Sequence, residues 1–409
     1  MGDSKGFSAW VYPNHRNNMK VVGLDVCKNC VVACTLDSVR PSDPRQSYYD
    51  SEFPRFYTDA SGIKGLLALK PDVAVMEPTG VNYSKLWAFH LTRAGVQVVL
   101  VGHKQLRKYR ENLDLPDKDD QADALALACY YLEHRDSERR FVRQRDPIVA
   151  KIRDIVLRLA YLKRVQSPII NRTRQDLAWQ FPEGAAITLD APVFWGWLAG
   201  ERSSKRYDLL YSKTVGMGLE PETKHNALAI RELQRRTSAL ELNMRSLLKD
   251  ERFAGYRKVF AQFGFGERVE ALILSQIYPI SNYMGPDGLP EIRISKGKES
   301  GKPTKRYLSR RRFQKSLGVA PTREQSGDSK KTKKAGSELC RNALWQWLFT
   351  RIESRRCRLK SPIGEFLGAL LDKEKACKPV ALARARVMAK AADLLFQALV
   401  EQLCPSSLP

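Results

Sequence analysis

Val21-Val-Gly-Leu-Asp25-Val-Cys-Lys28-Asn29-Cys30-Val-Val-Ala-Cys-Thr-Leu36 sets two apolar, β-branched runs on either side of Lys28-Asn29. Runs of this kind, broken by two polar residues, spell a β-hairpin over residues 20–27 and 30–36. Asp25 falls on the first strand with apolar neighbours on both sides. A carboxylate inside a buried strand is costly unless a cation or hydrogen bonds satisfy it. One residue therefore bears on both fold and chemistry.

Outward from the hairpin, strand and helix patterns alternate. A third strand is expected within Tyr48–Tyr57, a helix near 60–69, a strand over Asp72–Glu77, a helix over Asn82–Ala94, a strand over Val96–Val101 and a helix through Ala122–Leu132. Glu77 closes the run Val73-Ala-Val-Met-Glu77-Pro-Thr-Gly80, and Asp120 and Asp123 stand in Lys118-Asp-Asp-Gln-Ala-Asp-Ala124. A helix brings residues three apart onto one face, so Asp120 and Asp123 can project together towards Asp25 and Glu77. A hairpin, a further strand and then αβαβα, with acids on the first strand, after the fourth and on a late helix, is the order of a ribonuclease H-like (RuvC-like) α/β fold.

Singly, each acid has an ordinary role: Asp120 could cap a helix, and Glu77 could pair with a lysine. Together, Asp25, Glu77, Asp120 and Asp123 form an oxygen-donor set suited to Mg²⁺ or Mn²⁺, ions that also take substrate phosphate. Asp119 is the rival to Asp120 in this assignment.

The rest of the chain is basic. Sixty-nine Lys and Arg stand against 45 Asp and Glu, a formal charge of +24 and a pI near 9.7. That balance favours a phosphate-backbone partner and excludes a binder of basic ligands. No stretch of 18 apolar residues suggests a membrane span, and residues 1–19 read as a loose extension without a signal-peptide core. Eight scattered cysteines suit free thiols in a reducing cytoplasm rather than a disulfide framework.

At 409 residues the chain is long enough for two or three domains. Residues 20–145 are expected to form the α/β domain, 146–252 a long helical coiled-coil segment with an insertion at 184–226, and 253–409 a mostly α C-terminal domain. Ile152, Ile155, Leu159 and Leu162, then Ile230, Leu233, Thr237, Leu240, Met244 and Leu247, carry the helical seam, which Pro168 should kink. Phe263-Gly-Phe-Gly266 could open a helix onto a phosphate. A basic arm at 285–315 holds Lys296, Lys298, Lys302, Lys305, Arg306, Arg310, Arg311, Arg312 and Lys315, and Lys330, Lys331, Lys333 and Lys334 follow it. Trp195, Trp197, Trp345 and Trp347 are core residues or stacking platforms for unpaired bases.

These residues resemble the DEDD transposases of insertion-sequence family 110. Val22-Gly-Leu-Asp25-Val-Cys-Lys28, Met76-Glu77-Pro-Thr-Gly80 and Lys118–Ala124 are similar to its three acidic motifs, and the third selects Asp120 over Asp119. Leu317-Gly318-Val-Ala-Pro321 with Ser326-Gly327, then Lys334-Ala-Gly336 and Leu339-Cys-Arg341, are similar to its C-terminal transposase signatures. The chain departs from the family at Asp119, at Phe263–Gly266, in its N-terminal extension and in the insertions at 184–226 and 285–310.

The resemblance implies a RuvC-like catalytic domain, a composite site with Ser326 as nucleophile, and strand transfer between target and donor DNA. It also implies a structured noncoding guide RNA (bridge RNA) and self-association as a dimer or tetramer. Without it, Ser326-Gly327 is an ordinary turn, with Ser329 as a neighbour in the wrong register. A metal-dependent, structure-selective nuclease and a non-catalytic nucleic-acid scaffold are the rival readings.

Overall fold

The computed structural model describes residues 19–79, 82–115, 119–142, 145–187, 192–296, 303–326, 329–333 and 335–404. The chain divides into two compact units, Met1–Arg145 and Asp146–Pro409.

The first unit opens with strands β1 (Val21–Val26) and β2 (Cys30–Leu36), then helix α1 (Pro44–Asp50) and strand β3 (Arg55–Tyr57). Helix α2 (Ala60–Ala68), strand β4 (Val73–Met76), helix α3 (Tyr83–Arg93) and strand β5 (Gln97–Leu100) follow. Helices α4 (His103–Asn112) and α5 (Asp120–His134) close the unit. The sheet order is β3-β2-β1-β4-β5. Strand β2 runs antiparallel to β1 and β3, while β1, β4 and β5 are parallel. This is the ribonuclease H-like arrangement.

Side chains alternate across the sheet, and the two faces bury different helices. Val22, Leu24 and Val26 pack in one cluster with Ala74, Met76, Leu66 of α2 and Trp87 and Leu91 of α3. Val21 packs in the other with Val73, Val75, Val99, Leu106 of α4 and the inner side of α5. Gly23 and Asp25 share the α5 face with Val21. Gly23 has to be glycine: a Cβ there would lie 2.0 Å from the Ala124 carbonyl oxygen and 2.7 Å from the Ala128 amide nitrogen. Helix α5, alanine-rich on its buried side, thus rests backbone to backbone on β1.

One expected strand is shorter than its range, and one helix was missed. The strand over Tyr48–Tyr57 is confined to Arg55–Tyr57, because Asp43 caps a helix begun by Pro44, accepting from the Arg45 and Gln46 amides at 2.9 and 3.0 Å. Helix α4 was not expected at all, although Leu106, Tyr109 and Leu113 are buried at helical spacing.

In the second unit, helix α6 (Pro147–Gln180) runs through Pro168 as one helix. Short helices α7 (Pro182–Ala185), α8 (Pro192–Leu198) and α9 (Lys205–Ser212) lead to the long α10 (Pro221–Leu248). The seam is closed inside the chain: the early part of α6 packs with Met244 and Leu248, and its late part with Ala227 and Ile230. Trp195 is buried beside Phe181, Phe194 and Tyr207 in that second cluster, a packing role.

Helices α11 (Ala254–Gln262) and α12 (Glu267–Ile277) come next, followed by the hairpin β6 (Ile292–Lys296) and β7 (Pro303–Tyr307). Helix α13 (Leu308–Ser316), the hairpin β8 (Thr322–Ser326) and β9 (Ser329–Lys333), and helices α14 (Glu338–Leu348), α15 (Pro362–Cys377) and α16 (Val380–Leu403) complete the unit. The turn at Phe263–Gly266 is a packing turn: Phe263 is fully buried, Trp347 Nε1 donates to its carbonyl at 2.8 Å, and Glu267 and Glu270 fill the first turn of α12 with negative charge. An anion would be repelled there. Among the described residues no helix is long and apolar enough to cross a membrane.

Candidate active site

Parallel pairing of β1 with β4 matches Gly23 to Val75 and Leu24 to Met76. One residue further on, that register sets Glu77 level with Asp25, on the same α5 face of the sheet. Helix α5 runs opposite to β1, since Gly23 lies against Ala124 and Ala128 while Asp25, two residues on, feels Asp120 and Asp123. Its N-terminal turn, with Asp120 and Asp123, therefore lies at the end of the sheet where β1 and β4 finish. The unpaired amides and the positive pole of that helix favour negative charge in its first turn.

Asp119 is occupied otherwise. Its Oδ1 accepts the Ala122 amide at 2.7 Å as the helix cap, and its Oδ2 accepts the Tyr48 hydroxyl at 2.6 Å. With the cap taken by Asp119, Asp120 stays half-exposed beside Asp25, near enough for its charge to be felt there.

Asp25 feels the whole set. Burial first, then the charges of Asp123, Asp120 and Glu77, push its carboxyl from 3.8 up to about 7. Each of the other acids has a basic partner. Arg110 of α4 pairs with Asp123, both largely buried; Arg55 stands 3.7 Å from Asp120; His103 Nδ1 lies 2.7 Å from the Glu77 Oε2. Sequence reasoning missed these three bases, and for Arg110 and His103 the apolar spacing of α4 was the available signal.

Among the described residues, no three acidic, histidine or cysteine side chains stand close enough to cage an ion as they are. The donor set suits a hard divalent cation in kind, four carboxylates whose crowding raises Asp25. Arg110 engages only Oδ1 of Asp123 and His103 only Oε2 of Glu77, so each carboxylate keeps a second oxygen for an ion. Arg110→Ala, by leaving a buried carboxylate unpaired, should cost roughly 3 kcal/mol in chelator. Added Mg²⁺ or Mn²⁺ should restore most of the melting midpoint, and no response to either ion would count against the cation site.

The C-terminal signatures form a separate feature. Gly318 (φ 75°) and Gly336 (φ 80°) both adopt the left-handed conformation that favours glycine. A Cβ on Gly336 would lie 1.7 Å from the Lys315 carbonyl oxygen and 2.9 Å from the Gly318 backbone, so the two glycines touch. Arg341 donates to the Gly318 carbonyl at 3.5 Å, and the Ser337 hydroxyl caps α14. Together they tie the root of the β8–β9 hairpin.

Ser326 ends β8 opposite Ser329, which is exposed. For Ser326, Lys330, Lys331 and Lys333 only the backbone is described, and Lys298, Lys302 and Lys334 lie outside the described residues. Lys296, Lys305, Arg306 and Arg311 are exposed; Arg310 pairs with Asp393, and Arg312 with Glu291 at 2.6 Å. Lys315 is half-buried.

Residues 22–182 match the family model of DEDD transposases of the IS110 type, and residues 299–362 match that of the transposase IS116/IS110/IS902 family. The chain carries IS110-family DEDD transposase domains. No curated protein matches it. Two solved structures of Thermus thermophilus RuvC are similar, one in complex with a Holliday junction substrate (15% identity, 30% of this chain and 99% of that one) and a second RuvC structure (17%, 30% and 100%), each with a TM-score of 0.22.

The DEDD transposase match contains Asp25, Glu77, Asp120 and Asp123, and the second match contains the Ser326 hairpin. Membership in a transposase family implies a DNA-cleaving enzyme.

Proposed function

We propose that the protein is a DNA recombinase that exchanges strands through Ser326, with Asp25, Glu77, Asp120 and Asp123 as its acidic machinery. The observation that carries this reading is the gathering of four carboxylates at one end of the sheet, in a chain of formal charge +24. Asp25, Glu77, Asp120 and Asp123 would hold the Mg²⁺ or Mn²⁺. When bound, the cation neutralises phosphate charge and polarises the phosphorus–oxygen bond under attack.

The protein's own groups do the remainder. Ser326 Oγ attacks the phosphorus and loses its proton; the phosphorus–oxygen bond to the leaving strand breaks, and that oxygen takes a proton. A hydroxyl of the incoming strand then attacks the phosphoserine ester and returns the serine hydroxyl. The phosphodiester energy is stored in the ester, so rejoining needs no ATP. Basic side chains on the two hairpins grip backbone phosphate, and a structured noncoding RNA pairing with target and donor DNA chooses the sequence. Assembly as a dimer or tetramer brings two DNA sites together.

Ser326→Ala should stop exchange and remove any covalent protein–DNA adduct while leaving RNA binding within about twofold of the parent. Full recombination by that variant removes the serine mechanism. Free ends with no adduct from the parent protein would favour a hydrolytic nuclease instead.

A further inference from the structure

Beneath the basic hairpin, the second unit opens into a cleft of about 860 Å³, lined by Lys305, Arg306, Tyr307, Arg310, Arg311 and Pro321 among others. That volume exceeds what one nucleotide needs and falls within the range of ligand sites. Tyr307 is 42% exposed. Arg310 lies 4.5 Å over its ring and is itself fixed by Asp393 at 3.3 Å, so a half-buried acid, an arginine and the tyrosine ring form a braced stack. Lys305, Arg306 and Arg311 have no acidic partner among the described residues.

The hairpin adds an apolar element. Ile292 stands opposite Tyr307 and Ile294 opposite Lys305, so all four share one face, and the isoleucines are 48% and 63% exposed. Phosphate binding has no use for an exposed aromatic ring between two isoleucines and a lysine. Base planes do, and a duplex hides them.

Resting on the nucleic-acid reading above, we infer that this cleft takes an unpaired nucleotide of a strand. Its base stacks on Tyr307 beside Ile292, and its flanking phosphates sit against Lys305, Arg306 and Arg311. Pro321 of the lining directly precedes β8, whose five residues end at Ser326. At about 3.3 Å per residue the strand spans roughly 17 Å. A strand anchored in the cleft thus enters within a few nucleotides of the serine.

The test uses the full chain and short oligonucleotides carrying 2-aminopurine, as single-stranded DNA, single-stranded RNA and DNA duplex. Binding should quench the fluorophore in a single strand. Tyr307→Ala should lose the quenching and weaken single-strand affinity about tenfold, with duplex affinity unchanged, and Tyr307→Phe should keep both. Quenching with DNA alone, RNA alone or both supports the site and names its source. Equal losses on duplex and single strand, or undiminished quenching in Tyr307→Ala, overturn it while leaving the recombinase reading intact. A parent chain that binds no oligonucleotide overturns both.

Discussion

Asp25→Asn should abolish DNA cleavage, by at least about 10³-fold, and yet make the protein melt higher in chelator above pH 7. The cause is the carboxyl's displacement from 3.8 to about 7, by burial and by Asp123, Asp120 and Glu77. Across that window the folded chain keeps a proton that the unfolded chain has lost. Stability therefore falls as pH climbs from about 4, and the full penalty applies above 7. Asparagine has no charge to desolvate, so the variant's advantage should be absent near pH 4 and level off above pH 7, at roughly 3 °C or more. Added Mg²⁺ or Mn²⁺ should raise the parent's midpoint by binding the folded state and raise the variant's far less. Melting curves from pH 4 to 8, with and without the ion, decide it. A variant less stable than the parent at pH 8 would show that Asp25 is not held against its neighbours' repulsion.

Gly23→Ala should do comparable damage from outside the acidic set. The added carbon would meet main-chain atoms of α5, the Ala124 oxygen at 2.0 Å and the Ala128 nitrogen at 2.7 Å. Main chain cannot rotate aside as a side chain can, so the helix must lift. Overpacking of this kind costs about 3 kcal/mol. Lifting α5 also carries Asp120 and Asp123 away from Asp25, so cleavage should fail even where circular dichroism shows a folded protein. Gly266→Ala is the control, since nothing lies within 4 Å of its added carbon. Parental midpoint and cleavage in Gly23→Ala would mean that α5 does not bear on β1 there.

Much of the first unit was legible because its signals are local. Continuous apolar, β-branched runs mark β1 and β2, and Asp25 and Glu77 stand out as acids within apolar runs. What stayed hidden depends on contacts distant in sequence. The Asp43-Pro44 start carries α1 through Asp50, so the expected third strand is held to Arg55–Tyr57. Helix α4 was obscured because lysines and arginines crowd its exposed side, and with it went Arg110, whose pairing with Asp123 follows only from the packing of α4 on α5. Similarly, the sequence motif around Gly318 and Gly336 was visible as a signature, whereas the mutual contact of the two glycines was not.

That glycine contact bears on how such chains diversify. The polypeptide leaves the helical body at Gly318 and re-enters it at Gly336, two points in van der Waals touch. Whatever lies between them is an excursion whose ends are already joined, and closing a longer excursion adds only about 0.6 kcal/mol per doubling of length. Insertions and deletions between these residues can accumulate without disturbing α13 or α14. The segment that bears the serine is therefore a cassette clipped to the helical body at a single point, and the five residues of β8 set how far Ser326 stands from it.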